Sequence, residues 1–289
     1  MKRSIFLALI LILFVSCVKN SSNSKPVISV SILPQEYFVK RITGDKFNIN
    51  VLLPPGVSPH TFEPAPSTMS DLARSDIYFT MGEIEFEKAW LNKFRSVNED
   101  MIISNSSKNA NYIKFLDHGD DHEHDHTGNT DPHIWMSPEE VKTIANNIYE
   151  EMVQFDPDNK KFYKKNLESF ITDLEKLDMQ IRTMLSEIKN RRYIIYHPSL
   201  GYFARDYQLV EIPIEIDGKE PSPKQIKKII DTAQEQNIST VFIQKQFDAR
   251  LAESIAEEIN GKVMQLDPLS KDWLNNMIKI ARTMQFEEK

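Results

Sequence analysis

The 289-residue chain has a single cysteine, Cys17, so no disulfide can form within it. It also has no surplus of positive charge. Lys and Arg number 35 against 42 Asp and Glu, a net charge of −7 that offers no basic field to a nucleic acid. No His-Glu-x-x-His on a helical segment, no Gly-x-Ser-x-Gly and no Gly-rich phosphate loop is present. The usual frameworks of zinc peptidases, serine hydrolases and nucleotide-binding enzymes are therefore missing. A zinc hydrolase is the weakest of the readings considered, and the chain is read as a non-enzyme. With 40% hydrophobic residues the chain is long enough for one large domain or two smaller ones.

One hydrophobic run stands out, at residues 5–15, behind the basic start Met1–Arg3. It is too short for a permanent membrane span and matches the apolar core of a secretory leader. Ser16–Cys17 at its end resembles the cleavage site of a bacterial lipoprotein, which would make 1–17 a leader and Cys17 the lipid-bearing residue. An ordinary leader with an incidental cysteine is the alternative. Residues 18–26, rich in serine and asparagine, read as a tether.

Glycine and proline are both missing from 158–190, where apolar residues recur at Leu167, Phe170, Ile171, Leu174, Leu177, Ile181, Met184, Leu185 and Ile188. That spacing predicts one long amphipathic helix over 157–190, about 50 Å at 1.5 Å per residue. Asp156 is expected to cap it, and Lys189, Arg191 and Arg192 to face the negative end of its dipole. Strand-like and helix-like segments alternate on both sides, which argues for parallel sheets rather than a coiled-coil arm. The expected fold is α/β: two lobes, each a small, mostly parallel sheet flanked by helices, joined by one long rigid helix. The divisions are 27–155, a linking helix 156–191, and 192–289, with no convincing sequence repeat between the lobes. Strands are expected at 27–33, 47–53, 77–81 and 101–104, the last of them buried, and at 193–196, 209–214, 240–243 and 263–266. Capping boxes are expected at Ser137–Glu140 and Ser222–Gln225.

The seven histidines divide into two sets. His118, His122, His124 and His126 lie among acidic residues in the aperiodic loop 117–131. His60, His133 and His197 stand alone in ordered contexts. His60 follows a predicted strand through Pro54-Pro55-Gly56-Val57-Ser58-Pro59, and His133 precedes a capped helix. His197 ends a strand, and Asp267 ends another in the second lobe. Ligands of open α/β sheets bind outside the carboxyl ends of the strands, so these residues could face one cleft between the lobes. Three imidazoles and a carboxylate fit a four-coordinate zinc site. Each alone is weak, since a lone histidine is more often a surface residue and Asp-Pro more often a turn.

Taken together, Gly56-Val57-Ser58-Pro59-His60 with Glu63-Pro64, Asp131-Pro132-His133-Ile134-Trp135-Met136-Ser137-Pro138, His197-Pro198-Ser199-Leu200-Gly201-Tyr202-Phe203, Gly218-Lys219-Glu220-Pro221-Ser222-Pro223 and Leu266-Asp267-Pro268-Leu269 carry a family likeness. From about Val27 onward the chain resembles the metal-ion solute-binding proteins of bacterial ATP-driven importers, in the branch that handles zinc and manganese. The resemblance implies that His60, His133, His197 and Asp267 are the metal ligands. It also implies an ABC permease with its ATPase subunit as partners, and an extracytoplasmic monomer anchored to the membrane by its N-terminal lipid. Manganese-type members carry a glutamate where this chain has His197, and a nitrogen-rich site suits zinc better than manganese. The expected cargo is therefore Zn2+, with Mn2+ as the alternative. A metal-binding surface adhesin of the same fold is a further alternative. The resemblance makes the loop 117–131 a low-affinity metal collector, unless it is only a solvated acidic loop. Glu63, Asp131, Glu215 and Glu220 are candidate hydrogen-bond partners for the ligating imidazoles, and Trp135 is expected to be core. Because imidazoles ligate only when neutral, affinity should fall below about pH 6.5.

Overall fold

The computed structural model describes residues 25–114, 130–215 and 219–285. Cys17 and the leader lie outside them, as do most of the loop 117–131 with its four histidines, and Gly218. The elements run β1 (Val27–Val30), α1 (Leu33–Thr43), β2 (Asn48–Val51), α2 (Pro66–Leu72), β3 (Ile77–Thr80), α3 (Glu85–Val97) and β4 (Ile102–Asn105). After a 3-10 turn at Ile134–Met136 come α4 (Pro138–Phe155), a second 3-10 turn (Pro157–Asn159) and α5 (Lys160–Leu185). The second half comprises β5 (Arg192–Ile195), α6 (Gly201–Tyr207), β6 (Val210–Pro213), α7 (Pro223–Glu235), β7 (Thr240–Gln244), α8 (Arg250–Glu258), β8 (Lys262–Leu266) and α9 (Trp273–Gln285).

The strands form two four-stranded sheets, ordered β2-β1-β3-β4 and β6-β5-β7-β8, with every pairing parallel. The two-lobe α/β fold expected from the alternating pattern is thus present. Because the order is the same in both sheets, the lobes repeat each other in topology without repeating in sequence. In such sheets the chain turns back on itself between the first and third strands, and the crevice there is the ordinary ligand site. His197, after β5, and Gln244, at the end of β7, flank that crevice in the second lobe.

The linking helix is shorter than its apolar stripe. α5 ends at Leu185, about 39 Å from its start at 1.5 Å per residue. Ile188 continues the helical spacing and is buried, yet the backbone there has left the helix. Arg191 and Lys189 therefore lie beyond the last turn, although Arg191 Nη2 still donates to the Leu185 carbonyl at 3.1 Å. Asp156 does not cap the helix through its side chain. Its Oδ2 instead accepts from Asn159 Nδ2 and Tyr163 Oη. Leu167, Phe170, Leu174, Leu177, Ile181 and Leu185 are all buried, as the stripe requires.

Two other local expectations change. β4 is an edge strand with Ile102 38% exposed, not a buried one, because only β3 pairs with it. Ser137 Oγ accepts from Glu140 N, but Glu140 does not return the bond. Its carboxylate accepts from Asn111 N and Arg205 Nη2 instead. At Ser222 both halves of the capping box form.

One apolar core runs through the first lobe, α4, α5 and α9, and onto one face of the second sheet; a smaller one fills the opposite face under α7 and α8. α9 packs back toward the first lobe. Trp273 meets the Phe38 ring edge-on at 5.0 Å, and its Nε1 donates to the Trp135 carbonyl at 2.8 Å. Among the described residues no helix is long and apolar enough to cross a membrane.

Candidate metal centre

β2 runs out at Val51, and Pro54-Pro55 cannot prolong the strand. Gly56, with φ of 80°, turns the chain and leads it to His60. In the first lobe's other contribution, His133 immediately precedes the 3-10 turn Ile134–Met136 and is buried. In the second lobe, Tyr196 extends the β5–β7 ladder by donating to Phe242 O, and His197 follows at once. Gln244 then clamps the His197 backbone on both sides. Its Oε1 accepts from His197 N at 3.4 Å, and its Nε2 donates to His197 O at 2.6 Å.

These three placements bring the imidazoles into one cluster. Ring centroids are 4.4 Å apart for His60 and His197, 5.2 Å for His133 and His197, and 5.6 Å for His60 and His133. One nitrogen from each lies within 4.8 Å of the others. The opposite nitrogens are held by carboxylates. His60 Nδ1 is 3.1 Å from Glu85 Oε2, His133 Nδ1 2.8 Å from Asp131 Oδ1, and His197 Nδ1 2.8 Å from Glu215 Oε2. That leaves Nε2 of His60 and of His197 buried without a protein partner. Buried polar atoms are normally satisfied, so two orphaned nitrogens beside a third imidazole mark a place for a cation. A carboxylate on Nδ1 fixes the tautomer with a bare Nε2, the usual arrangement behind a metal-ligating histidine.

Electrostatics support a neutral ring at His197. Burial, the largest cause, pushes His197 down to about 4, outweighing the pull of Glu215 in the other direction; His133 and His60 add to the depression. For Glu85, burial acts to raise the carboxyl, but the hydrogen bond and charge of His60 hold it below the usual range. Phe247 stacks on His197 at 5.3 Å and 22°, covering the ring from solvent.

Asp267 is placed differently from the three histidines. Its Oδ2 accepts from Lys245 Nζ at 3.0 Å, and it is not grouped with the triad. Of the four carboxylates proposed as imidazole partners, Asp131 and Glu215 take that position. Glu63 and Glu220 are exposed, and neither bonds to the three rings among the described residues. Glu85, absent from the sequence reading, takes the third place. Its signal was available, since it opens the helix that follows the carboxyl end of β3. Trp135 is buried, but it does more than fill space. Its Nε1 donates to Pro268 O at 2.9 Å and so ties the His133 turn to the loop carrying Asp267. His118, His122, His124 and His126 lie outside the described residues. The spelling His-Glu-x-x-His at 122–126 falls there too, in a stretch of sequence without the apolar periodicity of a helix.

The lobes meet closely behind the triad. Tyr202 Oη, on α6, donates to Asp131 O at 2.7 Å, and a Cβ on Gly201 would sit 2.7 Å from Asp131 Oδ2. Only glycine lets the second lobe approach the His133–Asp131 pair this closely.

A family model described as "Zinc-uptake complex component A periplasmic" matches residues 28–286. The high-affinity zinc uptake system protein ZnuA of Bacillus subtilis is 29% identical over 262 residues, covering 86% of this chain and 80% of its own. The manganese ABC transporter substrate-binding lipoprotein scaA of Streptococcus gordonii is 27% identical, covering 90% of this chain and 87% of its own. A crystal structure of ZnuA superposes with a TM-score of 0.86 at 38% identity, covering 92% of this chain and all of that one.

Proposed function

The chain belongs to the family of the periplasmic zinc-uptake complex component A, a metal-binding component of ABC metal uptake, and from that premise we propose that it captures Zn2+ between its lobes and delivers it to a membrane permease. The observation that carries the reading is the trio of imidazoles with orphaned, buried Nε2 atoms at His60 and His197, each ring backed by a carboxylate. Three nitrogens and one oxygen favour zinc over manganese, whose preference is for hard oxygen donors. Relatives named for zinc and for manganese both resemble the chain, so the donor set, rather than the family, is what argues for zinc.

In this reading the three rings take the ion from water, and Asp267 rotates in as the fourth ligand. With all four positions filled by protein, no reactive water is held, which suits a carrier rather than a catalyst. The core shared by both lobes, together with α5 and the returning α9, favours small tilts over wide opening on loading. The 117–131 loop is read as an auxiliary collector, and Cys17 as the lipid attachment site. The loaded protein docks on the permease, whose ATPase subunit drives uptake.

The test is a competition titration of Zn2+ and Mn2+ on protein lacking residues 117–129, a deletion that spares Asp131. One tightly held zinc per chain, preferred over manganese by at least about a hundredfold, is expected. Loss of one-to-one zinc binding on that deletion, or equal affinity for manganese, contradicts the assignment.

A further inference from the structure

We propose that Lys245 is a built-in competitor for the carboxylate of Asp267 and thereby sets how tightly the metal is held and how fast it leaves. The inference rests on the reading of Asp267 as the fourth ligand. β7 and β8 pair in register, with Gln244 opposite Leu266, so the next residues out of the sheet are Lys245 and Asp267. Adjacent parallel strands thus put an ammonium and a carboxylate side by side, and Nζ lies 3.0 Å from Oδ2. The same exit carries Gln244, which clamps His197, and Phe247, which stacks on it. One short loop therefore touches two of the four proposed ligands.

The backbone at Asp267 is anchored by hydrogen bonds. Its carbonyl accepts from Asn276 Nδ2 at 2.8 Å and from Ser270 N at 3.2 Å. The next carbonyl, of Pro268, accepts from Trp135 Nε1, two residues beyond His133. With both ligand-bearing loops tied together, side-chain rotation is the movement left to bring the carboxylate to the triad, and that rotation breaks the pair with Lys245. The freed ammonium has somewhere to go, since its side chain is already 51% exposed. As the ion leaves, Lys245 recaptures the carboxylate, so the same contact that weakens binding speeds release. A carrier must let go of its cargo, and a half-exposed partner supplies a mild opposing force.

The experiment compares the full chain with Lys245→Gln, Lys245→Arg, Asp267→Asn and the Lys245→Gln/Asp267→Asn double variant. Zinc affinity is measured against a chelator at fixed ionic strength, and release is followed by stopped flow. K245Q is expected to bind roughly two- to fivefold tighter, the range an exposed ion pair imposes, and to release more slowly. K245R keeps the pair and matches the parent. In the D267N background K245Q adds no gain. Equal affinity of K245Q and the parent overturns the proposal. So does a gain that persists in full without Asp267, since Lys245 would then act only as a distant positive charge. D267N binding zinc as tightly as the parent would instead remove Asp267 from the ligand set, and the competitor role with it.

Discussion

The two lobes share a strand order but support their imidazoles by different means. In the second lobe His197 follows β5 directly, clamped by Gln244, and its partner Glu215 is 11% exposed. In the first lobe both histidines sit on loops. His133 is rigid because its partner Asp131 is 3% exposed and meets Gly201 and Tyr202 of the other lobe. His60 sits within the loop between β2 and α2, and its partner Glu85 is 49% exposed. Two rings are therefore backed by buried carboxylates, and one by a carboxylate half exposed to water. The lobes thus back their rings unequally, with His60 alone leaning on a carboxylate that is half in water.

The largest effect that would break this comparison is loss of a ring. His133→Ala or His197→Ala should weaken zinc binding beyond about a hundredfold, more than loss of an outer partner. A calorimetric titration in which either variant still bound like the parent would remove that ring from the site. Next come the partners. Asp131→Asn and Glu215→Gln should each cost about 10- to 100-fold, the usual effect of disturbing a ligand's hydrogen-bond partner. Glu85→Gln should cost only about threefold, because its pair is half in water. Equal losses at all three would mean that the rings are equally held.

Gly201→Ala sharpens the contrast from the second lobe. A methyl 2.7 Å from Asp131 Oδ2 must displace that side chain, so overpacking should lower stability by about 1–3 kcal/mol and loosen His133. Thermal melting checks the first effect and zinc titration the second. The same substitution leaves the His60–Glu85 contact untouched.

A separate effect concerns pH. Burial, with Asp131 adding to it, pushes Glu211 up to about 8, while Tyr193 Oη and Leu200 N donate to its Oε2. Its folded pKa lies above the unfolded value, so its contribution is fully present below about pH 4.5 and is lost as pH rises toward 8. Glu211→Gln keeps an acceptor for both donors without ionising. Its melting temperature should therefore hold up better than the parent's between pH 6 and 9, and parallel pH profiles would count against a buried acid there.

Much of this was legible from residue patterns. The apolar stripe of α5 and the proline and glycine punctuation of the sheets led to two parallel lobes. Strand-end positions pointed to His60, His197 and Asp267, a capped helix to His133, and the family resemblance joined the four into one ligand set. What the patterns missed was tertiary. Ile188 keeps helical spacing after the helix has ended, because the shared apolar core buries it without any helix. Ile102 has a core residue's character but lies on an edge strand. Glu140 fits a capping box but is drawn away by Arg205 from the other lobe. Glu85 and Lys245 were overlooked because the partner of each comes from another loop or strand, although the place of Glu85 after β3 was a usable signal.

The most direct test of a shared ion is zinc-edge X-ray absorption on the one-to-one complex of protein lacking residues 117–129. A shared ion should show three imidazole nitrogens at about 2.0–2.1 Å and one oxygen at a similar distance. A spectrum with fewer than three imidazoles around the zinc would contradict it.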